Sequence, residues 1–215
     1  MVVTLEGGCR VSQMHDGEPL VAGTVRVWKQ TGRATGAQAI SLSVIEYAPG
    51  ISPAIQNDEC DQILYVVNDR EAIEETHDSA SIRIAIDGNV FPISLDTGIY
   101  IRANQKFSID NSSGRSITIV GSQCPDPNRE TQIINAPPTE PAAVPLDPLP
   151  IVRLADQRAQ PTADRWYRVL IDERVGSTQV TQFVGSIPTG RAPDHFHNYE
   201  EVLFILKGEG RMWAG

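Results

Sequence analysis

His195-Phe196-His197-Asn198-Tyr199-Glu200-Glu201-Val202-Leu203-Phe204-Ile205-Leu206-Lys207-Gly208 places two imidazoles and a carboxylate within seven residues and then runs into an apolar, β-type stretch. On an extended chain successive side chains point to opposite faces, so His195 and His197 share one face and Phe196 takes the other. Asn198 to Glu200 are polar and turn-compatible, which lets the chain fold back and bring Glu201 onto the same inner wall. Leu203 and Ile205 have the parity of Glu201 and are expected to face that interior, whereas Glu200 is expected to point into solvent. Two neutral imidazoles and one carboxylate leave coordination positions open on a first-row divalent ion, which suits chemistry more than a purely structural site. Mixed nitrogen and oxygen ligation accommodates Fe, Mn, Ni or Zn, and the spacing does not choose among them.

The rest of the chain repeats the β-type signal. Val25–Trp28, Ile40–Tyr47, Gln62–Val67, Ser81–Ile86, Gly98–Arg102, Phe107–Ile109 and Ser116–Val120 are short, β-branched and separated by turn residues. Asp87-Gly88-Asn89 signals a tight hairpin because these residues tolerate positive φ, and Asn111 to Gly114 is a further turn. Trp166–Leu170, Thr178–Ile187 and Val202–Leu206 continue the pattern after a proline-rich stretch. Helix is expected to be minor, with one turn at Glu71–Thr76. Strands at this density predict an all-β sandwich or barrel. Eight prolines fall between Cys124 and Pro150, so 125–150 reads as a linker or surface arm.

Composition narrows the function. The chain has 215 residues, enough for one large domain or two ordinary ones, and a formal charge of −9. That charge, with no Lys/Arg cluster, argues against nucleic acid or an anionic membrane surface as a partner. No stretch approaches the roughly 18 consecutive apolar residues of a membrane helix. Met1 to Arg10 lacks the basic start and long apolar core of a signal peptide. Three cysteines, Cys9, Cys60 and Cys124, fit reduced thiols better than a disulfide framework. The expected location is cytoplasmic, where the glycosylation acceptor pattern Asn111-Ser112-Ser113 is idle.

Pro188-Thr189-Gly190, the His-x-His pair, Glu201 and Gly208-Glu209-Gly210 together resemble the first motif of the cupin superfamily. A shift of 139 lays Pro49 on Pro188, Arg26 on Arg165 and Ile63–Val67 on Val202–Leu206. The same shift sets Gln56, Asp58, Gln62 and Asp69 at the places of His195, His197, Glu201 and Gly208. Leu95 to Asn104 resembles the start of the second cupin motif, with Phe107 at the place of its metal-binding histidine and Asn111 at that of its asparagine. The expectation is therefore a bicupin. It comprises two cupin-type β-barrel (jelly-roll) units in tandem, an N-terminal barrel lacking metal ligands (1–124), a linker (125–150), and the start of a metal-binding barrel (151–215).

In that scheme the metal ligands are His195, His197 and Glu201, and the resemblance implies a fourth, a histidine that the second half does not contain. His15 and His77 lie in polar surroundings of the first half and read as surface residues. The place equivalent to Phe107 falls near position 246 at the 139 shift, so the second unit is expected to be incomplete. The parent chain is expected to continue for roughly 45 or more residues and to supply the missing histidine there. The first unit, with neutral Gln56 and Gln62 and with Phe107, is expected to serve packing, dimer formation or a metal-free pocket that Tyr100 and Arg102 can line. Arg191 and Arg211 flank the motif as exposed arginines, and Tyr199 and Trp213 read as packing residues.

The resemblance implies a metal-dependent enzyme acting on a small organic acid or related polar metabolite, first as an oxygenase. Decarboxylase, aminohydrolase and isomerase chemistries are the alternatives, since one fold hosts many reactions. A non-catalytic small-molecule-binding cupin is the rival from another class. The expected partners are a small-molecule substrate and further copies of the chain.

Overall fold

Period-2 patterning builds strands between Val3 and Ser186 in a computed structural model that describes residues 2–67, 82–134, 144–190 and 195–213. Asp69, His77, the expected turn Glu71–Thr76, Pro137, Pro138, Pro141 and Arg191 lie outside these residues. In chain order the strands are β1 (Val3–Thr4), β2 (Arg10–Val11), β3 (Leu20–Ala22), β4 (Val25–Thr31), β5 (Leu42–Tyr47), β6 (Gly50–Ile51), β7 (Ala54–Gln56), β8 (Asp61–Val66) and β9 (Ile82–Ile86). There follow β10 (Asn89–Pro92), β11 (Thr97–Ile101), β12 (Lys106–Asn111), β13 (Ile117–Cys124), β14 (Gln132–Ile134), β15 (Ile151–Arg153), β16 (Gln160–Thr162), β17 (Arg165–Ile171) and β18 (Gln182–Ser186). Helix is confined to short 3-10 turns among the described residues, such as Arg33–Thr35 and Glu173–Val175.

The fold is all-β and jelly-roll-like. One sheet runs β15-β11-β8-β13-β5-β4-β3; the other runs β10-β9-β12-β7-β14, with β6 also pairing β12. Between them lies a core of Val25, Val27, Ile45, Tyr47, Leu64, Val66, Ile84, Ile86, Ile99, Ile101, Phe107, Ile109 and Ile119. Burying each such side chain contributes about 1.5–3 kcal/mol. The hairpin β9–β10 turns through Asp87 (φ 44) and Gly88 (φ 81), as its sequence requires.

Strands β8 and β11 are buried on both faces. Leu64, Val66, Ile99 and Ile101 point into the jelly roll. Ile63, Tyr65 and Tyr100 point the other way, into a second cluster with Leu170 and Ile171 of β17. Gly98 stands on this outer face, where a Cβ would meet Leu170 Cβ at 3.0 Å and Gln182 Oε1 at 2.5 Å. Glycine there lets the C-terminal segment lie close against the sheet.

Part of 125–150 is built into the fold rather than laid over it: β14 pairs with β7. Asp126 accepts from Lys29 Nζ at 2.9 Å and from the Arg33 N–H at 2.7 Å. Strand β15 likewise extends the main sheet, with Ile151 opposite Ile99.

The C-terminal segment repeats the N-terminal elements at a constant spacing of 140, not 139: β3, β4, Arg33–Thr35 and β5 start at 20, 25, 33 and 42, and their counterparts at 160, 165, 173 and 182. The β-bulge at Lys29/Thr31 recurs at Val169/Ile171, and positive φ at Gly36 (104°) recurs at Gly176 (94°). Arg26 therefore matches Trp166, not Arg165. A shift of 139 still suits the stretch around His195 to Leu206, so the repeat loses one residue between β18 and that stretch.

Val202–Leu206, expected as a strand, joins no ladder among the described residues. Leu203 and Ile205 keep the interior parity but are 59% and 69% exposed. A strand needs hydrogen-bonding neighbours, and none of the described residues pairs here.

Candidate metal centre

His195, His197 and Glu201 lie on an irregular stretch that bends at Asn198 and Tyr199. The bend folds the chain back, as the polar residues suggested, and brings His197 Nδ1 to 3.2 Å from Glu201 Oε2. The His195 ring centroid is 4.9 Å from that of His197. Tyr199, expected as a packing residue, packs its ring against His197 at 4.8 Å while 67% exposed. Trp213 is also largely exposed, so neither aromatic is a core residue.

The donor chemistry fits a first-row divalent ion, with two imidazoles and a carboxylate as neighbours. The three donors are not closed around one point. Among the described residues no group of three His, Cys, Asp or Glu side chains is assembled as a metal site. The Glu201 carboxylate engages the His197 imidazole in this arrangement.

Glu200 departs from expectation. Its carboxylate accepts the backbone N–H groups of Gln38 (2.5 Å), Ala39 (2.6 Å) and Ile40 (3.1 Å) of the N-terminal jelly roll. Partial burial raises its pKa, but these three donors outweigh that and hold the carboxyl below the usual range. Strand parity correctly turned Glu200 away from the inner wall; it could not show whose amides lie outside.

Asp61 at the start of β8 does the reciprocal task. Buried beneath the C-terminal segment, it accepts the Thr178 N–H (2.7 Å), the Gln179 N–H (2.9 Å), Ser177 Oγ–H (3.2 Å) and the Tyr100 hydroxyl (2.6 Å). At the 140 spacing Thr178 and Gln179 are the counterparts of Gln38 and Ala39. Each half thus lends a carboxylate to the same loop of the other half.

Tyr100 and Arg102 consequently line this junction rather than an internal pocket. Burial and the Asp61 carboxylate raise the Tyr100 pKa, and Arg102 donates to the Asp147 and Pro148 carbonyls at 3.1 and 3.2 Å.

The interior of the N-terminal jelly roll is filled. At the places of the ligands, Gln56 donates to the Asn104 carbonyl at 2.7 Å, while Asp58 pairs with Arg129 and accepts from Gln132 Nε2 at 2.6 Å. Phe107 is wholly buried, and Asn111 ties down the Tyr47 and Arg115 carbonyls at 2.9 and 2.7 Å. A cavity of about 10 Å³ remains beside Ser41, Ser43, Gln62 and Gln123. That cavity has room for about one water, while an open cleft of about 430 Å³ lies beside Asp58, Cys60, Asn104 and Arg129. His15 is a surface residue as expected, bonding Glu46 Oε1 at 2.7 Å.

Cys9, Cys60 and Cys124 are free thiols, and burial pushes the Cys60 pKa up to about 11. No helix among the described residues is long and apolar enough to cross a membrane.

No protein-family model matches this sequence, and no curated protein matches it. Solved structures match by shape. A deletion mutant of Bacillus subtilis oxalate decarboxylase superposes with a TM-score of 0.55 at 10% identity, over 74% of this chain and 52% of that one. A second oxalate decarboxylase structure, on substrate binding mode, gives 0.54 at 10% identity over the same shares. The polyketide cyclase RemF of Streptomyces resistomycificus gives 0.43 at 13% identity, over 59% of this chain and 84% of that one. The chain spans about half the length of the oxalate decarboxylase chains it matches, 52%. The fold is that of the cupin-fold proteins, as the motif spacing implied.

Proposed function

We propose that this protein is a metal-dependent bicupin enzyme acting on a small organic acid or related polar metabolite, first as an oxygenase. The observation that carries this reading is the donor set. His197 and Glu201 are in contact and the His195 ring lies 4.9 Å from that of His197, in a stretch whose counterpart runs from the end of β7 to the start of β8 in the N-terminal jelly roll. The repeat of β3–β5 as β16–β18, bulge included, supports two units, the first of which has replaced its ligands by Gln56, Asp58, Gln62 and Phe107.

His195, His197 and Glu201 are the residues that would hold the ion. An ion held there would supply Lewis-acid or oxygen-activating chemistry toward a small acid. This chain contributes the neutral imidazoles, the carboxylate and the bend at Asn198–Tyr199 that sets them side by side. The shape likeness to oxalate decarboxylase supports a cupin fold; the reaction rests on the donor set alone.

Oxygen uptake with a panel of small organic acids, measured after iron or manganese loading, tests the proposal. Metal-dependent turnover of one acid supports it. Tight binding of an acid without any turnover would instead make the protein a non-catalytic binder.

A further inference from the structure

We propose that Glu200 is a positioning residue for the metal centre, and that the ligand-free first unit serves as the template on which that centre is held. This rests on the metal reading of His195, His197 and Glu201. Elsewhere the chain fixes such a segment by a ladder: β8, the counterpart of residues 200–205, pairs with β11 on one side and β13 on the other. Residues 195–206 have no ladder among the described residues, yet one side chain in their midst accepts three backbone N–H groups of the first unit.

The covalent geometry makes this grip effective. Consecutive Cα atoms are about 3.8 Å apart, so fixing residue 200 confines Glu201 directly and His197 through three peptide units. Residues behind a metal's own ligands that orient them commonly control affinity 10–100-fold. Glu200 belongs to a matched pair rather than to a chance surface contact. Asp61 holds Thr178 and Gln179 as Glu200 holds Gln38 and Ala39, and the two loops are equivalent at the spacing of 140. In the first unit this carboxylate sits beside Gln62, which ligates nothing; in the second its counterpart sits beside Glu201. The same docking device, duplicated with the unit, has become a support for the donors.

The test compares the wild-type protein with Glu200→Ala, Ala39→Pro and Glu209→Ala. Ala39→Pro removes a donor N–H from the first unit without altering any charge. Glu209→Ala removes an equal charge from the same segment at an exposed residue. Affinity is read by titrating metal-free protein with Co(II) and following its visible ligand-field bands. Glu200→Ala and Ala39→Pro are each expected to weaken binding about 10-fold or more, and Glu209→Ala less than about 3-fold. Equal losses from Glu200→Ala and Glu209→Ala, with Ala39→Pro unchanged, would reduce Glu200 to a bulk charge effect and overturn the proposal. Backbone 15N relaxation on the metal-free proteins decides the positioning independently. Glu200→Ala should lower the order parameters at 38–40 and at 196–204 together, and unchanged order parameters at 196–204 overturn the proposal. A wild type that takes up no Co(II) would defeat the metal reading instead, leaving the relaxation experiment to decide whether Glu200 fixes the segment.

Discussion

Replacing Asp61 by alanine should loosen the junction between the two halves while sparing the first core. Its carboxylate accepts four donors, but their fates differ when it is removed. Ser177 Oγ–H can still donate to the Val180 carbonyl at 2.6 Å, and the Tyr100 hydroxyl to the Gly176 carbonyl at 3.0 Å. Among the described residues the Thr178 and Gln179 N–H groups bond only Asp61, so both lose a charge-assisted hydrogen bond. At about 1–3 kcal/mol for each such bond, Asp61→Ala should cost about 2–5 kcal/mol, and Asp61→Asn, which keeps one acceptor oxygen, about half of that. Urea unfolding of the whole chain gives the cost. Hydrogen exchange localises it, with Thr178 and Gln179 losing protection while Leu64 and Ile99, in the first core, keep theirs. A cost under about 1 kcal/mol, or loss of protection spread evenly over both cores, would refute this account of the junction.

Gly98→Ala should destabilise by about 1–3 kcal/mol, because its Cβ would sit 3.0 Å or closer to Leu170 atoms, and the penalty should shrink in a Leu170→Ala background. No shrinkage in that double-mutant cycle would show that the close approach is not what requires glycine. Asp126→Asn should cost about 1–3 kcal/mol at neutral pH, since Asp126 binds Lys29 and two backbone N–H groups. Burial raises the Asp126 pKa, but the Arg33 and Asn128 N–H groups and the Lys29 ammonium overcome it, and the carboxyl lies below its ordinary value. A lowered folded value means the stabilisation is complete above the unfolded value near about pH 4 and fades as pH falls through the lowered folded value. Urea midpoints from pH 7 downward should therefore converge for wild type and variant only below about pH 4; convergence already at pH 6 would contradict the assignment.

Much of the fold was legible because strands advertise themselves. Side chains alternate faces, so the β-branched runs at Val25, Ile63, Ile82 and Ile99 could be read one residue at a time. The two- to four-residue strands such as β6, β7 and β14 could not, since they exist only by virtue of partners far away in sequence. The same reason accounts for Val202–Leu206, whose composition suits a strand but whose ladder partners are missing among the described residues. Strand β8 shows a third limit: an unbroken apolar run says that both faces are covered, not by what, and the cover is Leu170 and Ile171.

The candidate site divides along similar lines. Local spacing predicted that His197 and Glu201 would meet, because only three residues, two of them in a bend, separate them. Glu200 and Tyr100 were misread because their partners, at Gln38–Ile40 and at Asp61, belong to the other half of the chain. The acidic positions Asp61 and Glu200, matched at the 139 shift, are the sequence signal that could have pointed to the junction.

Metal binding by the purified protein is the most direct test of the central claim. Elemental analysis, followed by titration of the metal-free form with Mn(II) or Co(II), should give about one ion per chain. His195→Ala, His197→Ala and Glu201→Ala should each weaken that binding by about an order of magnitude or more, whereas Gln56→Ala and Gln62→Ala should leave it unchanged. Failure to bind any divalent ion, or an equal loss from Gln56→Ala, would contradict the assignment of the metal to His195, His197 and Glu201.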